Sequence, residues 1–507
     1  MKLNKILSVL LFLLCSMAVN AQYPLQYCAE SATMGSGQDY STKTYELGAA
    51  IKLDAEKLTP FIGGEISSIK LATIAGPKEG EIKTAKDLKV FIRKSLTGEN
   101  LYVQNAASFT IENLGEWFEV KLDQPFPIDG QEIYVGYSLT ANSIPLGFDG
   151  SKKPDSRATW VGVDNVWESF AGSGNACIQA MVSSDRLYPR KVLMEHFTTA
   201  ACINCPEVHQ MLESFIGNNV VWVAHHSGYM EDSYTTPIDK QYLAFFAGAG
   251  YAPAIMYDRV NLAAYGAVGG GSQPESTAGP VFFPGTKDLA EGLLSVRTAL
   301  ASIASIDMDG NFNPDSRKLT VKVYGTAISE LLGSNTCINV FLTESEIKGK
   351  QTGATGTYIH NRVFRDAITG AWGDKVTIEE DGSYSKTYEY TLKESWVPEN
   401  MNVVAFISNV VSSNVNNCEV YNANSIKLIA GDFTNIDTKS ENKVSLYSDG
   451  SMIGIEGEYS SVFIYDYTGK LVKILDASQN TAQVVNGCYI VKVITGEQTV
   501  TEKVIVK

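Results

Sequence analysis

Between residues 22 and 186 apolar and polar positions alternate in short runs, EISSIKLATI, DLKVFIRKSL, WFEVKLDQPFPIDGQEIYVGYSL, RATWVGV and ACIQAMV, with turn residues between them. A period of two sends successive side chains to opposite faces of a strand, and helical periodicity is almost absent here, so a β-sandwich or jelly roll is expected. From 187 to 300 the pattern changes. An apolar run KVLMEHF is followed by a helix-like CPEVHQMLESFIG, a strand NNVVWVAHH, a helix-like PIDKQYLAFFAGAG, the stretch YAPAIMYDR and a last helix TKDLAEGLLSVRTALASI. Alternating β and α in so small a unit predicts a mixed sheet with crossover helices. From 301 to 432 strands return, RKLTVKVYGTA, TCINVFLTES, SYSKTYEYTL and NMNVVAFISNV, predicting a second sandwich, and 433–507 reads as a compact β module. The whole is expected to be multidomain and mainly β, in keeping with a length of 507 residues.

Two low-complexity stretches invite chemistry and are read as connections. AYGAVGGGSQPESTAGPVFFPG, residues 264–285, lacks the P-loop lysine and the G-x-G-x-x-G spacing, so a surface loop is expected rather than a phosphate cradle. DMDGNFNPD has its glycine too early for an EF-hand loop and is read as a turn.

The first residues, MKLNKILSVLLFLLCSMAVNAQ, combine two lysines, an apolar run and a VNA terminus, the layout of a secretory signal over 1–21 cleaved after Ala21. Leu14 stands where a lipid-attachment box needs a small residue, so Cys15 is read as an apolar signal residue. No later segment offers the roughly 18 apolar residues of a membrane span. The formal net charge of -15 becomes more negative without Lys2 and Lys5, which excludes nucleic acid and anionic lipid as natural partners.

The stretch HFTTAACINCPEVH, residues 196–209, holds a C-x-x-C with Pro206 directly behind it. A disulfide exchanger needs a thiolate, and a helix N-terminus lowers a cysteine pKa from about 8.5 toward the 3.5 to 7.5 range. The Pro206 ring bars the helix from starting before about Cys202. On this reading Cys202 is the exposed nucleophile at the positive end and Cys205, one turn in, is the resolving thiol. Two other readings stay open: an inert exported disulfide, and a metal held by His196, Cys202, Cys205 and His209. The metal reading lacks a second C-x-x-C, and haem attachment through C-x-x-C-H fails at Pro206, so no cofactor and no resident metal is expected. His225 and His226, at the end of VVWVAHH, are read as surface or hydrogen-bonded structural histidines, with contact of one of them to substrate as the alternative.

The order of strand, C-x-x-C, helix, strand, helix and proline-led strand resembles the thioredoxin superfamily. The resemblance implies that Pro253 is a cis-proline facing the cysteines, and that protein thiols or disulfides are the partners. His196 occupies the place, six residues before the first cysteine, of that family's buried acid, so it is the candidate base for the resolving thiol. Glu195 is expected on the opposite face. Ala201 departs from the family, which has an aromatic residue there.

VLMEHFTTAACINCPEVH, YIHNRVFRDAITGAWGD and VVAFISN together resemble the outer membrane protein 28 family of secreted Bacteroidetes proteins, over 187–430. FPIDGQEIYVGYSL resembles a hairpin of β-sandwich modules in surface adhesins and proteases from that phylum. The C-terminal SVFIYDYTGKLVKIL and NGCYIVKVITGEQTVTEKVIVK resemble the type A sorting domain of the type IX secretion system, with Tyr465, Asp466, Gly469, Gly487, Tyr489, Val491, Lys492, Gly496 and Lys503 at matching positions. That resemblance implies periplasmic transit, export by the type IX machinery, removal of the module, and release or attachment to surface lipopolysaccharide. The expected function is a secreted or surface-attached thiol-disulfide oxidoreductase. The alternative is a non-catalytic surface binding protein or adhesin that uses the thioredoxin-like domain as scaffold.

Five cysteines remain outside the signal and the motif. Cys28 and Cys177 bracket the first domain, Cys337 and Cys418 lie in the third, and Cys488 is left over in the sorting module; the pairing stays open.

Overall fold

The computed structural model describes residues 22–506 apart from 29–33, 36–42, 76–81, 83, 152, 171–173, 218, 229, 248–250, 270–278, 412, 435–444, 450, 458, 460, 467–470, 477–478 and 495–498. The signal reading of 1–21 therefore lies outside the described residues, as do Gly469 and Gly496 of the sorting pattern. The chain divides into two compact units, Met1–Phe433 and Thr434–Lys507. Among the described residues no helix is long and apolar enough to cross a membrane.

The first unit begins with two antiparallel sheets. One runs Tyr23–Leu25, Ile178–Ser183, Glu65–Ala72, Trp117–Pro127; the other runs Val166–Ser169, Trp160–Val163, Tyr45–Leu53, Ile133–Ala141, Ala85–Arg93, Asn100–Asn105. Alternate residues of both, Ile66, Ile69 and Leu71 from the first and Leu47, Ile51, Val90 and Val135 from the second, meet in one buried core. FPIDGQEIYVGYSL is not a hairpin: Trp117–Pro127 pairs with Glu65–Ala72, while Ile133–Ala141 pairs with Tyr45–Leu53 and Ala85–Arg93 in the other sheet. Ile128 fixes the crossing, exchanging backbone hydrogen bonds with Gly63 and Gly64 at 3.0 and 2.9 Å. Alternation alone does not say which sheet a strand joins, because both sheets face the same core.

A third, mixed sheet runs Ala254–Tyr257, Val192–Thr198, Val220–His226, Val363–Ala367, Thr336–Glu344, Met401–Asn409, Val420–Lys427. Its first three strands come from 187–300 and the rest from 301–432, so the sequence break near 300 does not separate two sheets. Val192–Thr198 and Val220–His226 are parallel, and Ala254–Tyr257 is antiparallel to the former. An α/β unit of three strands would leave the Val220 edge with unpaired backbone groups. Val363 pairs there in parallel, and Ala224 N–H donates to Arg362 O at 2.9 Å.

The two faces of this sheet are covered differently. Val192, Met194 and Trp222 pack under the helices Cys205–Glu213 and Lys287–Thr298, while Leu193, Phe197, Val221 and Val223 pack against Tyr242 and Phe246 on the other side. Over the far half lies a sheet containing Ser383–Thr391, Lys318–Thr326 and Asp307–Asn313, whose Leu319, Val321 and Val323 bury against Ile338, Val340 and Leu342. One layer of this packing is thus the far half of the mixed sheet itself.

Two connections differ from their reading. DMDGNFN is the strand Asp307–Asn313, paired residue by residue with Lys318–Thr326. The Gly-rich insertion ends in structure: Phe282 is fully buried and exchanges two 2.9 Å backbone hydrogen bonds with Ile255, a one-residue continuation of the sheet edge. Val281 and Phe282 are apolar enough to bury although they stand in a turn-rich composition.

In the second unit, Ile453, Ile455 and Ala482 of one small antiparallel sheet pack on Val462, Ile464, Val491 and Val493 of another. Tyr489 is buried there and its hydroxyl donates to Val485 O at 2.7 Å.

Candidate functional site: a buried cysteine pair under a hairpin

Cys202 and Cys205 are joined in a disulfide with Cα atoms 5.5 Å apart. The helix behind them begins at Cys205, with Asn204 as its cap and Pro206 in its first turn. Cys202 therefore stands three residues ahead of the helix, not on its positive end, and Cys205 occupies the first helical position rather than one turn in. The proline explains the offset. In a helix reaching back to Cys202, its carbonyl would accept from residue 206, and Pro206 has no N–H to give.

That orphan carbonyl is taken by a side chain from far along the chain. Gln351 Nε2 donates to Cys202 O at 2.7 Å and to Thr199 O at 3.2 Å. Beside it, Thr352 N–H donates to Ala200 O at 2.8 Å. Gln351 lies at the tip of a hairpin whose arms, Ile347–Gly349 and Tyr358–His360, pair antiparallel. Gly353 at the same tip has φ +86°, and a Cβ there would stand 2.3 Å from Ile203 O, so glycine alone permits the close approach. Under this cover Cys202 is 1% and Cys205 0% exposed, whereas Ile203 between them is 65% exposed. The exposed nucleophile expected from the sequence is thus closed off in this conformation.

The chain's five histidines all gather at this end of the sheet: His196, His209, His225, His226 and His360. Residues alternate along Val192–Thr198, so His196 faces the helix Cys205–Glu213, where its ring meets those of His209 at 4.8 Å and Trp222 at 6.0 Å. Both His196 nitrogens are buried without a hydrogen-bond partner among the described residues. Burial first, and then the neighbouring histidines, push its pKa well below the usual imidazole value, and the same causes bring His209 to about 3. His196 is therefore neutral, with a free lone pair, at any physiological pH. Tyr358 hydroxyl and His209 Nδ1 share a hydrogen bond of 2.6 Å, tying the hairpin to the C-x-x-C helix. His360 packs edge-on against His226 at 5.4 Å.

Asp232 joins the next loop to the motif. Its carboxylate accepts from Ala200 N–H at 2.6 Å and from His226 Nδ1 at 2.7 Å. Burial would raise this carboxyl, but those bonds outweigh it and hold its pKa at about 2.

Glu195 points to the opposite face, as alternation requires, and there accepts two 2.8 Å hydrogen bonds from Arg259 and one of 3.2 Å from His225 Nε2. His225 Nδ1 is 2.8 Å from Asp239, so two buried carboxylates hold it, and despite burial they raise its pKa. His225 and His226 are both buried, with carboxylate partners. Pro253 is buried at the start of Ala254–Tyr257, and the Ala252–Pro253 bond is cis. The disulfide withdraws both sulfurs from the four-ligand metal set.

Gln351, Tyr358, His360 and Asp232 were not singled out in the sequence. Tyr358 and His360 sit inside YIHNRVF, but nothing local marks Gln351 or Asp232. Cys337 lies on Thr336–Glu344 and Cys418 just ahead of Val420–Lys427, with Met401–Asn409 between those strands. Two interstrand spacings, about 9.6 Å, exceed disulfide reach of about 7 Å, and both thiols are free.

Residues 294–425 match the model of the family described as outer membrane protein Omp28. The match contains the hairpin and its Gln351 but begins after the cysteine pair, and so is narrower than the 187–430 resemblance. Among solved structures, HBP35 of Porphyromonas gingivalis aligns at 20% identity over 63% of this chain and 99% of that one, with a TM-score of 0.39. A domain of the outer membrane lipoprotein Omp28 from Porphyromonas gingivalis aligns at 20% identity over 25% of this chain and 90% of that one, with a TM-score of 0.18. No curated protein matches the chain.

Proposed function

We propose that the protein is an exported thiol-disulfide oxidoreductase at the cell surface, whose C-x-x-C is gated by the 347–360 hairpin. The observation that carries this reading is the Cys202–Cys205 disulfide at the junction of Val192–Thr198 and the helix Cys205–Glu213. The helix begins at Cys205, so its first-turn amides stabilise the thiolate that forms on Cys205. In the reduced pair with the hairpin raised, the Cys202 thiolate attacks one sulfur of a partner's disulfide and the other sulfur leaves as thiolate. Cys205 then gives up its proton, attacks the Cys202 sulfur, and releases the partner as a dithiol, its two electrons coming from the pair. Neutral His196 is the base for the Cys205 proton. The outer membrane family match supports a location at the outer membrane or surface. Export through the type IX machinery, loss of 433–507 and attachment to lipopolysaccharide belong to the same proposal and rest on the sorting-domain resemblance.

Trapping tests it. A reduced Cys205→Ala variant, offered oxidised surface proteins, should accumulate mixed disulfides through Cys202, and none should form with Cys202→Ala. Equal capture by both variants would remove the exchange reading.

The burial of both cysteines favours a second reading, a surface binding protein in which the pair staples the motif loop. Reduced, hairpin-intact protein whose Cys202 resists alkylation at neutral pH for hours would support it.

A further inference from the structure

We propose that Cys28 and Cys177 form a second disulfide in the exported protein, closing the N-terminal sandwich at its entry strand. The antiparallel register makes the case. Tyr23–Leu25 pairs with Ile178–Ser183 as Tyr23↔Val182, Pro24↔Met181 and Leu25↔Ala180. Carried three residues further along both strands, that register sets Cys28 directly opposite Cys177. Residues directly opposite in an antiparallel pair have Cα atoms about 4.5 to 5.5 Å apart, and disulfides span about 4.4 to 6.8 Å. The side chains meet: Cys28, Cys177 and Ala72 form one small buried cluster with Trp117 against it, the two cysteines 4% and 0% exposed.

The surroundings fix the position of Cys177 before any bond forms. Its N–H donates to Gly147 O and its carbonyl accepts from Ala72 N–H, both at 2.9 Å. The two thiols are hydrogen-bonded to each other; that bond, and then burial, push the Cys177 thiol far up. A thiol so placed does not react in the closed sandwich, so the bond forms while the exported chain is still folding. The oxidant is a protein disulfide of the exporting compartment. A thiolate from one cysteine attacks it, the second cysteine attacks the mixed disulfide, and the oxidant leaves as a dithiol with two electrons and two protons.

The bond would tie the first strand of the N-terminal sandwich to its last, which restricts the unfolded chain strongly. Cys337 and Cys418, separated by a strand, serve as the internal control.

The test uses the mature full-length protein. It is denatured without reduction, alkylated, digested and read by mass spectrometry. The expected result is a cross-linked Cys28–Cys177 peptide pair, with Cys337 and Cys418 alkylated. Alkylated Cys28 and Cys177, or either one linked elsewhere, would overturn the proposal. Cys28→Ala, Cys177→Ala and the double variant give a second readout. Each single change should lower Tm by about 10 °C, and the double no further, because one bond is lost in all three. Additive losses would mean packing alone. If the variants do not fold, the peptide map of the unmodified chain decides.

Discussion

The side-chain amide of Gln351 donates to the backbone carbonyl of Cys202 at 2.7 Å, although 149 positions separate them in the chain. The bond replaces the helical one that Pro206 cannot supply, and it places a hairpin tip over the reactive loop.

Removing that bond should expose the disulfide. A buried hydrogen bond contributes about 1 to 1.5 kcal/mol, so Gln351→Ala should raise the rate of disulfide reduction by dithiothreitol about tenfold. The rate is read by timed alkylation. An unchanged rate would mean the hairpin does not limit access.

Gly353 tests the same cover by sterics. Its φ of +86° and the 2.3 Å approach to Ile203 O leave no room for a side chain. Gly353→Val should weaken the closed hairpin by about 1 to 3 kcal/mol, seen as faster amide exchange across 347–360, with the sandwich core unaffected.

Acid should destabilise the first unit. His196 and His209 are held neutral with pKa values below the usual imidazole value, His209 at about 3. The unfolded chain therefore binds protons that the folded one refuses. Their stabilising effect is complete above about pH 6.5 and falls away as pH drops below it, by about 2 kcal/mol at pH 5 for His209, with His196 acting in the same direction. His225, its pKa raised, acts in the opposite direction and is one group against two. Urea midpoints at pH 7 and pH 5 should show the loss. His209→Phe should flatten the difference.

The opposite face is an ion-paired core. Arg259 is fully buried, bidentate to Glu195, and stacked on Tyr242, Phe246 and Phe406 at 4.8 to 5.1 Å. Glu195→Gln should destabilise by about 3 to 5 kcal/mol, since it leaves a buried guanidinium without its counter-charge. Chemical denaturation measures it. A loss below about 1 kcal/mol would contradict the burial of that charge.

Much of the β-α-β-α-β unit was legible because its signals are local. Short, near-continuous apolar runs marked Val192–Thr198 and Val220–His226, and helical patterns marked Cys205–Glu213 and Lys287–Thr298. Alternation along the first of these strands assigned His196 and Glu195 to opposite faces. What could not be read depends on partners distant in sequence. Nothing in GKQTGATG announces that Gln351 will find the carbonyl of Cys202, nor does Val363 show that it will extend the sheet past Val220–His226. FPIDGQEIYVGYSL misled for a related reason, since strands on either side of one core share the same alternation. Phe282 was hidden in a Gly-rich stretch whose composition outweighs two apolar residues.

The central claim is that Cys202 and Cys205 exchange electrons with other proteins. Its most direct test is the reduction potential of the pair in the mature protein, equilibrated in glutathione buffers and read by differential alkylation. A value between roughly -120 and -270 mV is the result the account predicts. A value below about -300 mV would mark an inert structural bond and contradict it.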